Sequence, residues 1–146
     1  MNYRTIQWFD FRICKYLFYT AFDMGEDKYF CKAWKNMHKE ASFIVTINGA
    51  IVGFVLVDKG FCIQYLVVDS KFRGQNVGSE LMKRVCNALS DAPSIWLKTA
   101  SDPRLKVWYT KFGFEEDHTY LDSNKSYIGT CMIRRQRGRH NSIDID

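Results

Sequence analysis

A short basic loop with two glycines lies between a candidate strand and a candidate helix, at residues 73–78. The strand, residues 61–68, is rich in β-branched and aromatic residues, and the helix, residues 79–89, carries its apolar residues on one face. The first N–H groups of a helix have no partners within it and lie at the positive end of its dipole, so they favour anions. Gly74 and Gly78 let the backbone approach such a ligand closely, where a Cβ would block it. These residues therefore predict a phosphate-binding loop.

The spacing of the glycines excludes two common nucleotide-binding patterns. The pattern G-x-x-x-x-G-K-S/T is absent because Gly78 is followed by Ser79 and Glu80, and no G-x-G-x-x-G occurs. The hexapeptide Arg73-Gly74-Gln75-Asn76-Val77-Gly78 instead resembles the (Q/R)-x-x-G-x-(G/A) signature of the GNAT N-acetyltransferases, which bind the pyrophosphate of acetyl-CoA there. It departs from the signature at Asn76, and Asn tolerates the left-handed backbone region better than other residues with a Cβ. Taken alone, the hexapeptide also fits a polar turn before a surface helix.

A second element that resembles the same family begins at Asp102. Asp102 is predicted to cap a helix whose first residue is Pro103 and which ends at Gly113. One face of this helix is apolar and consists of Leu105, Trp108, Tyr109 and Phe112. The segment Tyr109-Thr110-Lys111-Phe112-Gly113-Phe114 is similar to the Y-x-x-x-G-F element that closes the GNAT cofactor cleft. With the strand pattern, the resemblance covers the chain up to about Ile133.

The order of the predicted elements agrees with that family. The predicted strands are residues 3–8, 42–47, 51–57, 61–68, 94–99, 114–120 and 127–133, and the predicted helices are residues 10–22, 26–39, 79–89 and 102–113. Asn48-Gly49 predicts a hairpin turn between the second and third strands. Helices on a mixed sheet follow from this pattern. The resemblance implies the GNAT fold, an α/β (α+β) class with a central mixed, mostly antiparallel sheet and helices on both faces.

Length and composition predict one domain with a substantial core, since 47% of the 146 residues are hydrophobic. We expect this domain to span residues 1–133 and a basic, flexible tail to follow at residues 134–146. The longest apolar runs are too short to span a bilayer, and no leader-like segment precedes them. The five cysteines are odd in number and form no C-x-x-C pair, which favours reduced thiols in a cytoplasmic compartment. The three histidines are scattered, so no metal site is predicted.

The resemblance also implies how the chain holds its cofactor, acetyl-CoA. The backbone of Val67 and Val68 is expected to hold the pantetheine arm and the acyl carbonyl. The phosphates are expected at Arg73, Gly74, Gln75, Asn76, Val77, Gly78 and Ser79. Asp102 stands where many members carry an Asn near the pantetheine, although capping its helix also explains it. Tyr109 stands where many relatives keep a tyrosine that protonates the coenzyme A thiolate; an ordinary core aromatic is the alternative.

The acceptor site is implied at Cys62 and Gln64, which lie two residues apart on one face of their strand. Neither is an effective base, because glutamine does not titrate and a cysteine needs a lowered pKa. A water chain or backbone carbonyl, a residue elsewhere, or an amine bound in its neutral form are the alternatives. The acidic turn with Asp23, Glu26 and Asp27 falls where the family's first two helices line the acceptor cleft. It would attract a cationic amine, or it is a solvated loop.

The sequence thus predicts an acetyl-CoA-dependent N-acetyltransferase. The acceptor would be a primary amine of a small molecule, a peptide or a protein, attacking directly in a ternary complex, and the enzyme a monomer or homodimer. The missing base leaves acyl-CoA binding without turnover as an alternative. A nucleic-acid-binding module is a second alternative, because the net charge is +5. Residues 134–146 hold four Arg and two Asp, which leaves only +3 for residues 1–133, so nucleic acid is disfavoured.

Overall fold

The computed structural model describes residues 1–22, 27–121 and 128–136. Its elements are, in chain order, β1 (Asn2–Thr5), α1 (Phe11–Phe22), α2 (Asp27–Lys35), β2 (Phe43–Ile47), β3 (Ala50–Val57), β4 (Cys62–Val68), α3 (Val77–Ala88), β5 (Ser94–Ala100), α4 (Pro103–Thr110), β6 (Glu115–Leu121) and β7 (Ile128–Arg135). Short 3₁₀ turns lie at Trp8–Asp10 and Ser70–Phe72. The chain forms two compact units, Met1–Gly60 with Gln64–Ala88, and Phe61–Ile63 with the chain from Leu89 onward.

The strands form a seven-stranded mixed sheet in the order β1-β2-β3-β4-β5-β7-β6. β1, β2 and β3 are antiparallel neighbours, as are β5, β7 and β6. β4 and β5 are parallel, in a short ladder that joins Cys62 to Trp96 and Ile63 to Leu97. The sheet is therefore mostly antiparallel, which confirms the predicted fold class.

In the first unit, helices cover both faces of the sheet. α1 buries Cys14, Leu17 and Phe18, a spacing of three and four residues that forms one helical stripe. This stripe packs in a cluster with Phe30 of α2 and with residues of β2 and β3, namely Ile44, Phe54 and Leu56. Successive strand residues point to opposite faces, and the alternate residues Val45, Val55 and Val57 are also fully buried. α3 contacts β2 and β3 and accounts for the burial of that second face.

The β2–β3 hairpin turns at Asn48-Gly49, as predicted. Asn48 has φ +52° and Gly49 has φ +83°, so both adopt the left-handed conformation of a tight hairpin turn. The register shifts by one residue between Val45 and Thr46, which places a bulge in β3.

β1 and α2 are shorter than the sequence predicts, and in each case hydrogen bonds that involve residues outside the element explain the earlier end. β1 ends at Thr5 rather than at residue 8 because the buried carboxylate of Asp10 accepts bonds from Arg4 (2.8 and 2.9 Å) and from the Gln7 N–H (2.7 Å). α2 ends at Lys35 rather than at residue 39. There the Asn36 carbonyl accepts from the Lys59 N–H at 3.0 Å, so the backbone pairs with the β3–β4 connection instead of continuing the helix.

In the second unit, α4 packs on β5 and β6, and β7 lies between β5 and β6. β7 extends to Arg135, two residues beyond the predicted end of the last strand at Ile133. The next residue, Gln136, donates its N–H to the Pro93 carbonyl at 2.8 Å. Arg134 to Gln136 therefore belong to the folded unit, because long-range pairing holds them. The rest of the predicted tail, residues 137–146, lies outside the described residues.

Candidate active site

The loop after β4 has the backbone that a phosphate site needs. Gly74 and Asn76 both adopt left-handed conformations, with φ +82° and +63°. The expectation that Asn76 tolerates this region is confirmed. α3 begins at Val77, two residues earlier than predicted, and its first internal bond runs from the Glu80 N–H to the Asn76 carbonyl at 3.0 Å. The preceding N–H groups lie before that bond and are the natural donors to an anion.

A cleft of about 250 Å³ opens beside this loop, within the first unit. It is lined by the end of β4, by one face of α1 and by Asp69, Ser70, Lys71 and Arg73, which follow β4. Val67, Val68 and Arg73 meet there, which brings three of the predicted cofactor residues together. Lys71 lines the cleft as well and adds a second positive charge.

The end of β4 presents backbone groups on its free side. The Asp69 N–H donates to the Val52 carbonyl of β3 at 2.8 Å. Successive N–H groups of a strand alternate between its two edges, so the Val68 N–H lies on the edge away from β3. On that edge the Val68 carbonyl accepts a bond from Arg73 Nε at 3.3 Å. Arg73 thus connects the strand end to the loop.

Gly53 of β3 allows β4 to approach closely at this point. A Cβ on Gly53 would lie 2.9 Å from the Val67 carbonyl oxygen and 3.2 Å from Val45 Cγ1. Any larger residue would push β4, and with it the start of the loop, away from β3.

The structure describes only some of the residues predicted for the acceptor site. Gln64 is exposed and donates from Nε2 to Asp58 Oδ2 at 2.8 Å, while the Gly60 N–H donates to Asp58 Oδ1 at 2.8 Å. Cys62 is a half-buried free thiol. Asp23 and Glu26 lie outside the described residues, and Asp27 opens α2 with its side chain outside the description.

α4 carries the two predicted residues of the second unit, Asp102 and Tyr109. Asp102 caps the helix, as predicted: its Oδ1 accepts from the Arg104 N–H at 2.9 Å, and Pro103 follows it. The predicted apolar face is only partly covered, since Leu105 is 39% exposed. Trp108 and Phe112 are half-buried and in ring contact at 4.8 Å.

A Schellman motif ends α4 and fixes Tyr109. The Gly113 N–H donates to the Thr110 carbonyl at 2.9 Å, and the Phe114 N–H donates to the Tyr109 carbonyl at 3.4 Å. Gly113 supplies the left-handed residue of the motif, with φ +88°. The buried Phe114 ring packs edge-on against the Tyr109 ring at 6.3 Å. The Y-x-x-x-G-F spacing therefore matches the positions that this Schellman motif gives to Tyr109, Gly113 and Phe114.

The surroundings of Tyr109 favour the protonated form of its phenol. Its side chain is half-buried, and this burial raises the pKa of the phenol above its usual value. The hydroxyl therefore keeps its proton well above neutral pH. Among the residues that the structure describes, it makes no hydrogen bond.

The comparisons with known proteins decide the family. Residues 26–133, more than half of the chain, match the family model described as acetyltransferase (GNAT) domain. The chain belongs to the GNAT acetyltransferase family. A search of curated protein sequences gives no significant match.

Solved GNAT structures share the fold. Ard1 from Thermoplasma volcanium superposes with a TM-score of 0.80 at 20% identity, over 93% of this chain and 97% of that chain. The ribosomal-protein-S18-alanine N-acetyltransferase from Escherichia coli gives 0.78 at 16% identity, over 94% and 96%. Arabidopsis thaliana Naa50, solved with the bisubstrate analogue CoA-Ac-MVNAL, gives 0.74 at 21% identity, over 90% and 96%.

Seven residues that line the cleft of this GNAT chain were not predicted from the sequence, namely Tyr16, Leu17, Thr20 and Ala21 of α1 and Asp69, Ser70 and Lys71 after β4. Lys71 was detectable, because it is a second basic residue two positions before Arg73. Tyr16 and Thr20 of α1 also line the cleft, and only the packing of α1 against β4 reveals them. All five cysteines are free thiols. Within the described ranges, no cluster of three or more His, Cys, Asp or Glu residues is placed to hold a metal ion, and no helix is long and apolar enough to cross a membrane.

Proposed function

We propose that this GNAT protein transfers the acetyl group of acetyl-CoA to the amine of a peptide or protein. The amine nitrogen attacks the thioester carbonyl while both substrates are bound, so a C–N bond forms and the C–S bond breaks. Coenzyme A leaves as a thiolate. The amine loses one proton and the thiolate gains one, and the site must therefore accept and donate a proton.

The conformation of residues 73–79 is the observation that carries this proposal. Two left-handed residues, Gly74 and Asn76, turn the chain so that it enters α3 with donor N–H groups at the helix start. The pyrophosphate of acetyl-CoA is the ligand that this arrangement suits. Val67 and Val68 line the adjoining cleft, and the Val68 N–H on the free edge of β4 is suited to hold the pantetheine or the acyl carbonyl. The CoA-containing analogue bound to Naa50 supports the same cofactor.

Tyr109 is the proposed proton donor to the departing thiolate. A general acid must hold its proton until the leaving group needs it, and the raised pKa of Tyr109 keeps the phenol protonated at neutral pH. Asp102 begins the same helix, and we place it beside the pantetheine arm in addition to its role as helix cap.

The acceptor we favour is the α-amine at the N terminus of a peptide or protein. An α-amine has a pKa of about 7.7–8.0, so a substantial fraction is neutral near pH 7.5, whereas a lysine amine with a pKa of about 10.4 is almost fully charged. Cys62 and Gln64 offer no effective base, which suits an amine that loses its proton easily. The S18-alanine N-acetyltransferase and the peptide moiety of the Naa50 analogue are consistent with this class.

Two measurements test the proposal. Calorimetry should detect acetyl-CoA binding, and Gly78→Glu should abolish it by placing a negative charge and bulk at the phosphates. Asn87→Glu is the matched control, since it adds the same charge to the exposed C-terminal end of α3 and should bind normally. A protein that binds no acetyl-CoA would refute the proposal.

Thiol release is then followed with two peptides. One has a free N terminus and no lysine, and the other has an acetylated N terminus and one lysine. We expect turnover with the first and at least about 10-fold less with the second near pH 7.5, because its amine is mostly charged. Binding without thiol release from either peptide, or from small amines, would favour the alternative, an acyl-CoA-binding domain without turnover.

A further inference from the structure

The carbonyl of Phe112, at the end of α4, has a charged partner from a distant part of the chain. Arg134 of β7 donates a hydrogen bond from Nη1 to this carbonyl. The N–H groups of the Schellman motif already bond to the carbonyls of Tyr109 and Thr110 but not to that of Phe112. Arg134 therefore supplies a donor to a helix-end carbonyl that this motif does not pair. A cation at a helix C terminus also meets the negative end of the helix dipole.

Arg134 is itself held in place. Its Nε donates to Gln136 Oε1 at 3.1 Å. Gln136 donates from Nε2 to the carbonyls of Leu89 (2.6 Å) and Ala92 (2.9 Å), so both amide donors and the amide oxygen are used. Arg134 lies opposite Ile95 in the β5–β7 ladder, which fixes its backbone. Pairing with β5 thus fixes the backbone of Arg134, while Gln136 and the end of α4 fix its guanidinium.

Gly113 makes room for this arrangement. A Cβ at Gly113 would lie 3.0 Å from Arg134 Nη1, a tight contact that the guanidinium would relieve only by moving a few tenths of an ångström. The glycine that gives α4 its left-handed end therefore also admits the arginine. We name the set formed by Phe112, Gly113, Arg134 and Gln136 the α4 clasp.

We propose that Arg134 is a positioning residue for the acetyl-transfer reaction, which it serves by holding the end of α4 and thereby Tyr109. This rests on the proposed function of Tyr109 as proton donor. Tyr109 lies only three residues before Phe112, on the turn that the clasp closes, and its carbonyl and ring are both tied to Phe114. A displaced helix end moves the phenol, and a shift of about 1 Å is enough to reduce a catalytic rate by up to 100-fold.

A double-mutant cycle tests this. Arg134→Met keeps the aliphatic stem and removes the donors, and we expect kcat to fall by about 10–100-fold with little change in the KM for acetyl-CoA. In a Tyr109→Phe background the same change should lower kcat by no more than about two-fold, since the group it positions is gone. Arg134→Lys should restore only part of the rate, because an ammonium cannot reach Gln136 and Phe112 with a fixed fork.

Arg135→Met is the matched control. Arg135 is the adjacent residue, exposed, and its ion pairs are with Glu115 and Asp117 of β6. We expect kcat within about two-fold of the parent in both backgrounds, as for other surface ion pairs. An Arg134→Met effect that is equally large with and without Tyr109, or that Arg135→Met reproduces, would overturn the proposal.

Amide hydrogen exchange separates this inference from the proposed function, because it needs no turnover. In the complete protein, Arg134→Met should speed exchange at residues 112–114 by about 10-fold or more, while Arg135→Met should not. Unchanged exchange refutes the clasp even in an active enzyme. Faster exchange in a protein that acetylates no amine supports the clasp and refutes only the proposed function.

Discussion

At the scale of single residues, burial keeps two titrating side chains protonated. Tyr109 has a raised pKa, and so does Cys14, which is fully buried between α1 and the sheet. In Tyr109 the retained proton supports the proposed role of proton donor. In Cys14 it makes the thiol an inert part of the core, since the thiolate is the reactive form.

Tyr109→Phe should lower kcat by about 10–100-fold, because general acid catalysis to the thiolate is lost. Cofactor affinity and the free energy of unfolding should change little, since the ring is retained. Because the pKa of Tyr109 is raised above 10.0, this residue should cause no loss of activity between pH 7 and 9. The measurement is single-turnover acetylation, with Tyr3→Phe on β1 as the control. An unchanged rate of the chemical step would make Tyr109 a packing residue.

Cys14 predicts a pH dependence of stability. Burial, with a smaller contribution from Asp10, raises the pKa of its thiol from 9.0 to about 12. Between these values the unfolded thiol is ionised and the folded thiol is not, so the free energy of unfolding falls as pH rises. From pH 8 to pH 10 the parent should lose about 1 kcal/mol more than Cys14→Ala. Urea unfolding at both pH values measures this, and parallel losses in the two proteins would contradict it.

At the scale of elements, both parts of the candidate site depend on glycine or asparagine in a left-handed conformation at a helix end. Gly74 and Asn76 precede α3, and Gly113 follows α4. Residues other than glycine and asparagine are disfavoured in this region, which explains why such motifs are short and recognisable. The proposed functional groups are backbone N–H groups at the start of α3 and the Tyr109 side chain near the end of α4.

Gly113→Ala should destabilise the protein by about 1–2 kcal/mol through its left-handed conformation. It should also reduce kcat, because the new methyl group meets Arg134. Gly49→Ala is the matched control, with φ +83° and no heavy atom within 4 Å of its Cβ position. We expect a similar loss of stability there and an unchanged kcat. Chemical denaturation and steady-state kinetics give both quantities, and equal kcat in the two variants would contradict the expectation.

At the scale of the whole molecule, the residues with long-range pairing include Arg134, Arg135 and Gln136, which lie beyond the predicted end of the domain at Ile133. The difference matters because the added residues include Arg134 and Gln136. Gln136 donates to the carbonyls of Leu89 and Ala92, which lie 47 and 44 positions earlier in the chain. The neighbouring sequence alone predicts that these side chains belong to a solvated basic tail.

Two truncations separate these boundaries. Removing residues 137–146 should leave acetyl-CoA affinity and the acetylation rate within a few-fold, because that segment has only two apolar residues with which to offset its ordering entropy. Removing residues 134–146 should lower both the Tm and kcat, since the clasp is lost. Thermal unfolding and peptide acetylation measure the outcomes. Identical behaviour of the two truncated proteins would show that the clasp contributes nothing.

Short-range geometry is what the sequence alone determined. The residues at 73–78 and the Tyr109–Phe114 segment were recognisable because their glycine, asparagine and aromatic spacing is required by a turn or a helix end a few residues long. The hairpin at Asn48-Gly49 follows for the same reason. Regular alternation and helical stripes also predicted the element order and helices on a mixed sheet, while the mostly antiparallel GNAT fold was implied by the family resemblance.

Only the tertiary structure decided where several elements end and which side chains meet. β1 ends where Arg4 donates to the Asp10 carboxylate, and α2 ends where the Asn36 carbonyl accepts from the Lys59 N–H. β7 continues to Arg135. Lys71 joins Tyr16 and Thr20 in one cleft, and Gln136 reaches the Leu89 carbonyl. In each case the partners are separated along the chain, and a backbone or polar group adopts whichever conformation satisfies its hydrogen bonds. Such partners come together only when the core is packed, so local sequence patterns do not predict these contacts.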